Sequence, residues 1–298
     1  GVNLEVSVNI SSNHLLSSDF FVQLEKCLSK HPAIKSHYLQ LEILESSALG
    51  DINTINHIIE ACQNKLGVSF SLDDFGTGYS SLTHLRSLPV NTIKIDQSFV
   101  RDMLDDPSDY SIIEGVIALT NTFNRNVIAE GVESSEHGLL LLLMGCEKAQ
   151  GYAIAKPMSA ECFLQWLNDY TPNPSWLLYA NKHRSHKEKS LEIFKIISER
   201  WKEKLRKAIL SSPSDDVLWP IIDCKLSHSG NWIHRKKQER LFRKGALRRL
   251  KQAHDESHTI AKTMQHKYSI GEVETARAII KEFELSFNEM TNAAESCE

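Results

Sequence analysis

Long hydrophobic runs and paired cysteines are both missing from this 298-residue sequence. The longest apolar run, from Gly138 to Cys146, has nine residues, whereas a membrane-spanning helix needs about 20. No charged segment followed by an apolar stretch resembles a secretion signal. The six cysteines are scattered without paired spacing, which favours reduced thiols over a disulfide framework. We therefore expect a cytoplasmic globular protein without a membrane segment.

The two halves of the sequence carry opposite charge. Residues 1–170 hold 10 Lys and Arg against 21 Asp and Glu, for a net charge of −11. Residues 171–298 hold 24 against 17, for a net charge of +7. A turn-rich segment lies at the join. These shifts predict a first domain over 1–170, a linker over 171–185 and a second domain over 186–298.

The first domain alternates strand-like runs with amphipathic helical segments. The runs that predict strands lie at 6–10, 39–44, 68–72, 92–96 and 126–129. Apolar residues at helical spacing lie between them, for example over 52–66 and 112–119. This alternation is typical of parallel βα units, arranged either as an open doubly wound sheet or as a barrel.

Polar side chains follow the strands at their carboxyl ends, which a parallel sheet or barrel brings to one face. They are Asn9, Glu42, Glu45, Asp73, Asp74, Lys94, Asp96, Glu130 and Glu133. Carboxylates crowded together repel one another unless a cation lies among them, and oxygen ligands favour Mg²⁺ or Mn²⁺. The adjacent Asp73 and Asp74 could bridge two metals about 3.5–4 Å apart, the geometry of phosphoryl displacement. The alternative is that these acids only solvate loops.

Six segments of the first domain follow one another in a recognisable order: VSVNIS (6–11), LEILES (41–46), LDDFGTGYSSL (72–82), IKIDQSFV (93–100), IAEGVE (128–133) and QGYAIAKP (150–157). They resemble the successive motifs of the EAL-domain phosphodiesterases, a family that hydrolyses the bacterial second messenger cyclic di-GMP to the linear dinucleotide pGpG. The resemblance covers residues 4–170. It implies an α/β fold of the TIM-like (β/α) barrel type with a two-metal Mg²⁺ or Mn²⁺ site that acts on cyclic di-GMP.

The resemblance also implies a role for each matching residue. The implied metal ligands are Asn9, Glu42, Asp73, Asp74 and Glu130, with Asp74 on the second metal. Lys94 would hold the attacking water, and Glu45 would support the loop in LDDFGTGYSSL. Asp96, Glu133 and Gln150 would contact the nucleotide.

One departure from the family pattern is large. The Glu-Ala-Leu segment that names the family, and an Arg near it that binds substrate phosphate, are absent from these 298 residues. The sequence enters at what resembles the third strand, so we expect a partial barrel that lacks its first two strands. The intact parent would be a phosphodiesterase, whereas this chain alone would have little or no activity. A non-catalytic cyclic di-GMP receptor that signals through the second domain is the alternative.

The second domain has the charged amphipathic pattern of an all-α helical bundle. Helices are predicted at 186–211, 236–267 and 271–295. The basic residues over 235–251 have few aromatic neighbours, so we interpret them as a solvated helix face and expect no DNA partner. A dimerising scaffold, and hence a homodimer, is a further reading of these helices.

Three segments of this domain stand out: WKEKL from Trp201, the stretch from Cys224 to Trp232, and HDESH over 254–258. Together they resemble the chemoreceptor zinc-binding (CZB) family of sensory bundles, over about 186–295. The resemblance implies Zn²⁺ ligation by Cys224, His254 and His258, and a sensor of zinc or redox state. Ser198 stands where the family has a fourth ligand, a His. His228 or water would replace it, or the site has been lost.

Overall fold

The computed structural model describes residues 4–46, 52–78, 82–180, 183–212 and 216–297. Contacts group the chain into two compact units. The first unit comprises Gly1–Arg101, Ser111–Ser134 and Gly145–Thr171, and the second comprises Asp102–Tyr110, Ser135–Met144 and Pro172–Glu298.

The first unit is built on one six-stranded parallel sheet whose spatial order follows the chain order. The strands are β1 (Val6–Asn9), β2 (Leu39–Leu44), β3 (Ser69–Phe75), β4 (Thr92–Ile95), β5 (Asn126–Ala129) and β6 (Lys148–Ala149). All five predicted strands are confirmed, together with the partial barrel. The strand β6 was not predicted, because two residues are too few to show a periodic pattern.

Burial differs sharply between the middle and the first strand of this sheet. The side chains of β4 are all buried, as expected of a parallel strand covered on both faces. Each residue of β1 is exposed, and Val6 and Val8 retain 54% and 42% of their accessible surface. Within the described residues β1 pairs only with β2, so it is an edge strand.

The remaining described residues are mostly helical. In chain order the helices are α1 (Ser12–Leu15), α2 (Phe20–Lys30), α3 (Ile52–Ala61, continued by a π-helical turn over Cys62–Leu66), α4 (Leu82–Ser87), α5 (Gln97–Asp102), α6 (Pro107–Thr122), α7 (Ser135–Met144), α8 (Ala160–Asp169), α9 (Pro174–Ala180), α10 (His186–Leu210), α11 (His228–Glu239), α12 (Lys244–Ser269), α13 (Val273–Ala278) and α14 (Ile280–Glu295); a short 3₁₀ turn covers Ser36–Tyr38. None of these helices combines the length and apolar character that a membrane crossing requires.

The second unit is all-α, as predicted, but its helix boundaries differ from the prediction. The start of the helix expected over 236–267 is wrong, because α11 ends at Glu239 and α12 begins at Lys244. The single helix expected over 271–295 is also wrong, because this range is divided into α13 and α14. Arg240 ends α11 in the left-handed conformation, with φ of 56°. Gly or Asn usually occupies that position, so an Arg there left no sequence signal of a break.

Gly151, just after β6, lies directly against the backbone of Val132. Its φ is +152°, and a Cβ at this residue would lie 2.2 Å from the amide nitrogen and 2.4 Å from the carbonyl oxygen of Val132. The amide of Val132 donates to the carbonyl of Gln150, and the amide of Ala153 donates to the carbonyl of Val132. Glycine therefore allows the segments around Glu130 and Gln150 to lie side by side.

We predict that Gly151→Ala lowers the free energy of unfolding by about 3 kcal/mol, because the added methyl overlaps backbone atoms that cannot move aside. Gly115→Ala is the matched control, since a Cβ at this position within α6 has no neighbour within 4 Å. This control should stabilise the protein by about 0.5–1 kcal/mol. Urea denaturation of both variants measures the difference. Equal stabilities would contradict the close approach at Gly151.

Candidate active site

Three carboxylates, from β2, β3 and the end of β5, meet around the ammonium group of Lys94 on β4. The Nζ of Lys94 lies 3.0 Å from Oε2 of Glu42, 2.8 Å from Oδ1 of Asp73 and 2.6 Å from Oε1 of Glu130. These residues come from segments far apart in the sequence. Parallel pairing of adjacent strands brings them together, as the pattern of strand-end polar residues predicted.

The charge of Lys94 is sustained by its three partners. Only 4% of the residue is accessible, and burial by itself would lower the pKa of Lys94. Hydrogen bonds to Asp73, Glu130 and Glu42 outweigh burial and raise that pKa above its ordinary value. The side chain is therefore a permanent cation in the middle of a carboxylate cluster.

Asp73, Asp74 and Glu130 form a second arrangement within the same cluster. One carboxylate oxygen from each lies within 4.8 Å of the others, the only such group of three potential ligands among the described residues. Burial raises the pKa of Asp74, and the charges of Asp73 and Asp96 raise it further. Burial also raises the pKa of Glu130, although the hydrogen bond from Lys94 opposes that change. These carboxylates are crowded beyond what one ammonium compensates, which is the setting that binds divalent cations.

Two local features constrain the carboxylates of Asp74 and Glu130. Asp74 adopts a left-handed conformation, with φ of 54°, at a register shift between β3 and β4. The Nε2 of Gln150 donates to Oε1 of Glu130 at 2.6 Å, the same oxygen that Lys94 contacts. The prediction assigned Gln150 to the nucleotide, and nothing in the sequence pointed to its hydrogen bond with Glu130.

Glu45 lies beneath the glycine-rich loop that follows β3. It is 2% exposed, and its Oε2 accepts hydrogen bonds from the amides of Gly76 at 2.8 Å and Gly78 at 3.3 Å. A Cβ at Gly78 would lie 3.1 Å from this carboxylate, so a side chain there would crowd it. The Oγ1 of Thr77 donates to the carbonyl of Asp74 at 2.9 Å. Residues 79–81 of the LDDFGTGYSSL motif lie outside the described residues.

Within the part of the chain that the structure describes, Asn9, Asp96 and Glu133 make no ion pair with Lys94. Asp96 is 9% exposed and accepts hydrogen bonds from the amide and hydroxyl of Ser98. Asn9 and Glu133 are exposed. In the sheet register Asn9 lies opposite Glu42, which places it next to the cluster at the edge strand.

The predicted zinc residues lie in the second unit, where His254 and His258 are buried and have hydrogen-bond partners. His254 and His258 share a face of α12, are 1% and 3% exposed, and have ring centroids 4.3 Å apart. The Nε2 of His254 lies 2.9 Å from the hydroxyl of Ser229, and Nδ1 of His258 lies 2.9 Å from the carbonyl of Ile222. Burial lowers the pKa of both imidazoles, so both are neutral near pH 7.

The rest of the predicted zinc set is not gathered around this pair. Cys224 is half-buried, and among the described residues no group of three zinc ligands includes it with His254 and His258. His228 is buried against the ring of Tyr110, with centroids 4.6 Å apart, and burial lowers the pKa of His228 to about 4. Ser198 is 1% exposed, and its hydroxyl has no hydrogen-bond partner among the described residues.

The family model of the EAL domain matches residues 1–157. The cyclic di-GMP phosphodiesterase PdeR of Escherichia coli is 37% identical over 172 residues, which cover 57% of this chain and 25% of PdeR. The chain spans about a quarter of the length of the curated relatives it matches.

Solved structures agree with this sequence match. A structure of the PaMucR phosphodiesterase in complex with c-di-GMP is 34% identical, with a TM-score of 0.51, over 53% of this chain and 64% of that chain. The EAL domain of Mycobacterium smegmatis DcpA is 37% identical, with a TM-score of 0.51, over 55% of this chain and 72% of that one. The match of the EAL family model spans more than half of the sequence and contains the whole carboxylate cluster. This chain belongs to the EAL-domain family.

Proposed function

We propose that the protein containing this chain is a cyclic di-GMP phosphodiesterase that hydrolyses its substrate to pGpG with two divalent cations, Mg²⁺ or Mn²⁺. Its relative PdeR is named as a cyclic di-GMP phosphodiesterase, and the PaMucR structure holds c-di-GMP. The observation that carries the proposal in this chain is the cluster of Glu42, Asp73, Asp74 and Glu130 around Lys94.

The donor set of the cluster fits hard divalent cations. Its ligand atoms are carboxylate oxygens with no thiol or imidazole among them, the ligand type that Mg²⁺ and Mn²⁺ prefer. Glu42 and Asp73 would hold one ion together with Asn9, while Asp74 and Glu130 would complete the second position. Bound there, the two ions would lower the pKa of a water nucleophile and neutralise the phosphate oxygens.

Lys94 contributes a fixed positive charge in this proposal. Its ammonium is anchored between carboxylates of three strands, so its position is set before any ligand arrives. Each of its three N–H donors already has a carboxylate partner, so Lys94 would donate to a water or to a phosphate oxygen only after a divalent cation has taken the place of one of these contacts. Its raised pKa keeps it protonated.

We predict that the double variant Asp73→Asn/Asp74→Asn abolishes hydrolysis of cyclic di-GMP by the full-length protein, because two ligand carboxylates become weakly binding amides. The measurement is chromatography of substrate and pGpG in the presence of Mn²⁺, alongside calorimetric binding of cyclic di-GMP. Glu60→Gln, an exposed acid on α3, is the control and should keep full activity.

The two measurements separate the enzyme from the receptor alternative. Loss of hydrolysis in the double variant, with hydrolysis retained by the unchanged protein and by Glu60→Gln, supports the enzyme. Binding of cyclic di-GMP without hydrolysis by any form of the protein supports the receptor. Unchanged hydrolysis in the double variant contradicts the assignment of these residues.

We predict that Lys94→Met lowers the free energy of unfolding by about 3 kcal/mol at pH 7, because three buried carboxylates lose their counter-charge. Adding Mn²⁺ should raise the melting temperature of this variant by more than that of the unchanged chain, since the cation replaces the lost ammonium. Differential scanning calorimetry of the present chain measures both effects. Lys26→Met, an exposed residue of α2, is the control, and equal Mn²⁺ responses in all three proteins would contradict the account.

We further propose that the second unit binds zinc and senses zinc or redox state. The buried, neutral pair His254 and His258 on one face of α12 supports the proposal. Cys224 would have to move towards the pair, and a zinc thiolate there would be sensitive to oxidation.

We predict that zinc analysis by mass spectrometry finds about one equivalent in the purified chain and markedly less in His254→Ala. The control is His266→Ala on the same helix, which carries an exposed side chain outside this core and should keep its zinc. Equal zinc in the chain and in His254→Ala would remove the zinc site.

A further inference from the structure

In the second unit, the C-terminal end of α11 and the N-terminal end of α12 line a cavity of about 560 Å³. Its lining is made of three apolar and six cationic side chains: Ile233, Phe242, Leu247, Lys236, Lys237, Arg240, Lys244, Arg248 and Lys251. The volume falls in the range of small-molecule sites in proteins, about 300–1,000 Å³. Most residues of its lining belong to the basic segment 235–251, which we interpreted from the sequence as a solvated helix face.

The apolar side of this cavity is held in place by the break between the two helices. Arg240 turns the chain in the left-handed conformation, and Phe242 then packs against Trp232 with ring centroids 5.6 Å apart. Ile233, Phe242 and Leu247 are 4–6% exposed, so they belong to the packed interior of the unit while lining the cavity. An apolar surface is therefore built into the fold at this place.

The cationic side of the cavity has too few acids to balance it. Lys236 pairs with Glu239 and Lys251 pairs with Asp255. Over the described ranges, Lys237, Arg240, Lys244 and Arg248 have no carboxylate oxygen within 4 Å. Four cations left together around an apolar surface create a positive potential that an anion relieves.

We propose that this cavity binds a small amphipathic anion, an alkyl chain that ends in a carboxylate or phosphate. Charge complementarity selects the anionic head, and the buried apolar side selects the alkyl chain. A nucleotide fits less well, because the nine lining side chains include no hydrogen-bond acceptor for the amino groups of a base. The site is separate from the carboxylate cluster and does not depend on the proposed hydrolysis.

The test is isothermal titration calorimetry of the full chain with dodecanoate, below its micelle concentration and at physiological salt. We expect one equivalent to bind, with affinity falling about fourfold for each methylene removed. Dodecanol, which lacks the charge, and adenosine monophosphate, which lacks the chain, should each bind at least about tenfold more weakly.

Two matched double variants locate the binding. Lys237→Gln/Arg248→Gln removes two exposed cations of the lining and should weaken dodecanoate binding about tenfold. Arg249→Gln/Lys262→Gln removes two exposed cations of α12 outside the lining and should leave the affinity unchanged. All four substitutions are at exposed positions, so the fold is expected to persist.

Three outcomes would overturn the proposal: equal binding of dodecanoate and dodecanol, equal effects of the two double variants, or tighter binding of adenosine monophosphate. Sedimentation with vesicles of phosphatidylglycerol distinguishes the source of the anion. Dodecanoate that binds as a monomer supports the free amphiphile. Binding to vesicles without binding of monomeric dodecanoate would instead indicate a membrane surface and would also overturn the proposal.

Discussion

One ammonium group organises the centre of the first unit. Lys94 on β4 neutralises part of the charge of Glu42, Asp73 and Glu130, each delivered by a different strand segment. Without that charge, three buried carboxylates would repel one another at the end of a parallel sheet. In the same arrangement the pKa values of Asp74 and Glu130 are raised, because one ammonium does not balance all of these carboxylates. The stability of the cluster and the proposed affinity for divalent ions therefore have one origin.

Much of the barrel site could be predicted from the sequence, because each strand and the polar residue at its end are neighbours in the chain. Each of the strands β1 to β5 is visible in the sequence as a short apolar run, and the polar residue at its end is visible beside it. Parallel topology then supplies the convergence, so Glu42, Asp73, Lys94 and Glu130 could be expected together. What the sequence could not show is that Lys94 contacts three carboxylates at once, or that Gln150 donates to Glu130. Those contacts depend on side-chain reach and on the placement of the two-residue strand β6.

The second unit was harder to predict, because the break between α11 and α12 has no sequence signal. Helical periodicity identified α10, α12 and α14, and it placed His254 and His258 on one face. The break at Arg240 is encoded by neither Gly nor Pro, and the cavity beside it exists only because of that break. A run of cations in a sequence has the same appearance whether it faces water or surrounds an apolar hollow. The contrast with the acidic barrel unit gives the chain an anion-attracting part and a cation-attracting part.

The central claim is that the cluster around Lys94 is a divalent-metal site held together by charge balance. The most direct measurement is anomalous diffraction at the manganese edge from crystals of this chain grown with Mn²⁺. The account predicts anomalous density among the carboxylates of Asp73, Asp74 and Glu130, with the ammonium of Lys94 moved away from at least one partner. Manganese elsewhere in the molecule, with the three ion pairs of Lys94 intact and the cluster free of metal, would contradict it.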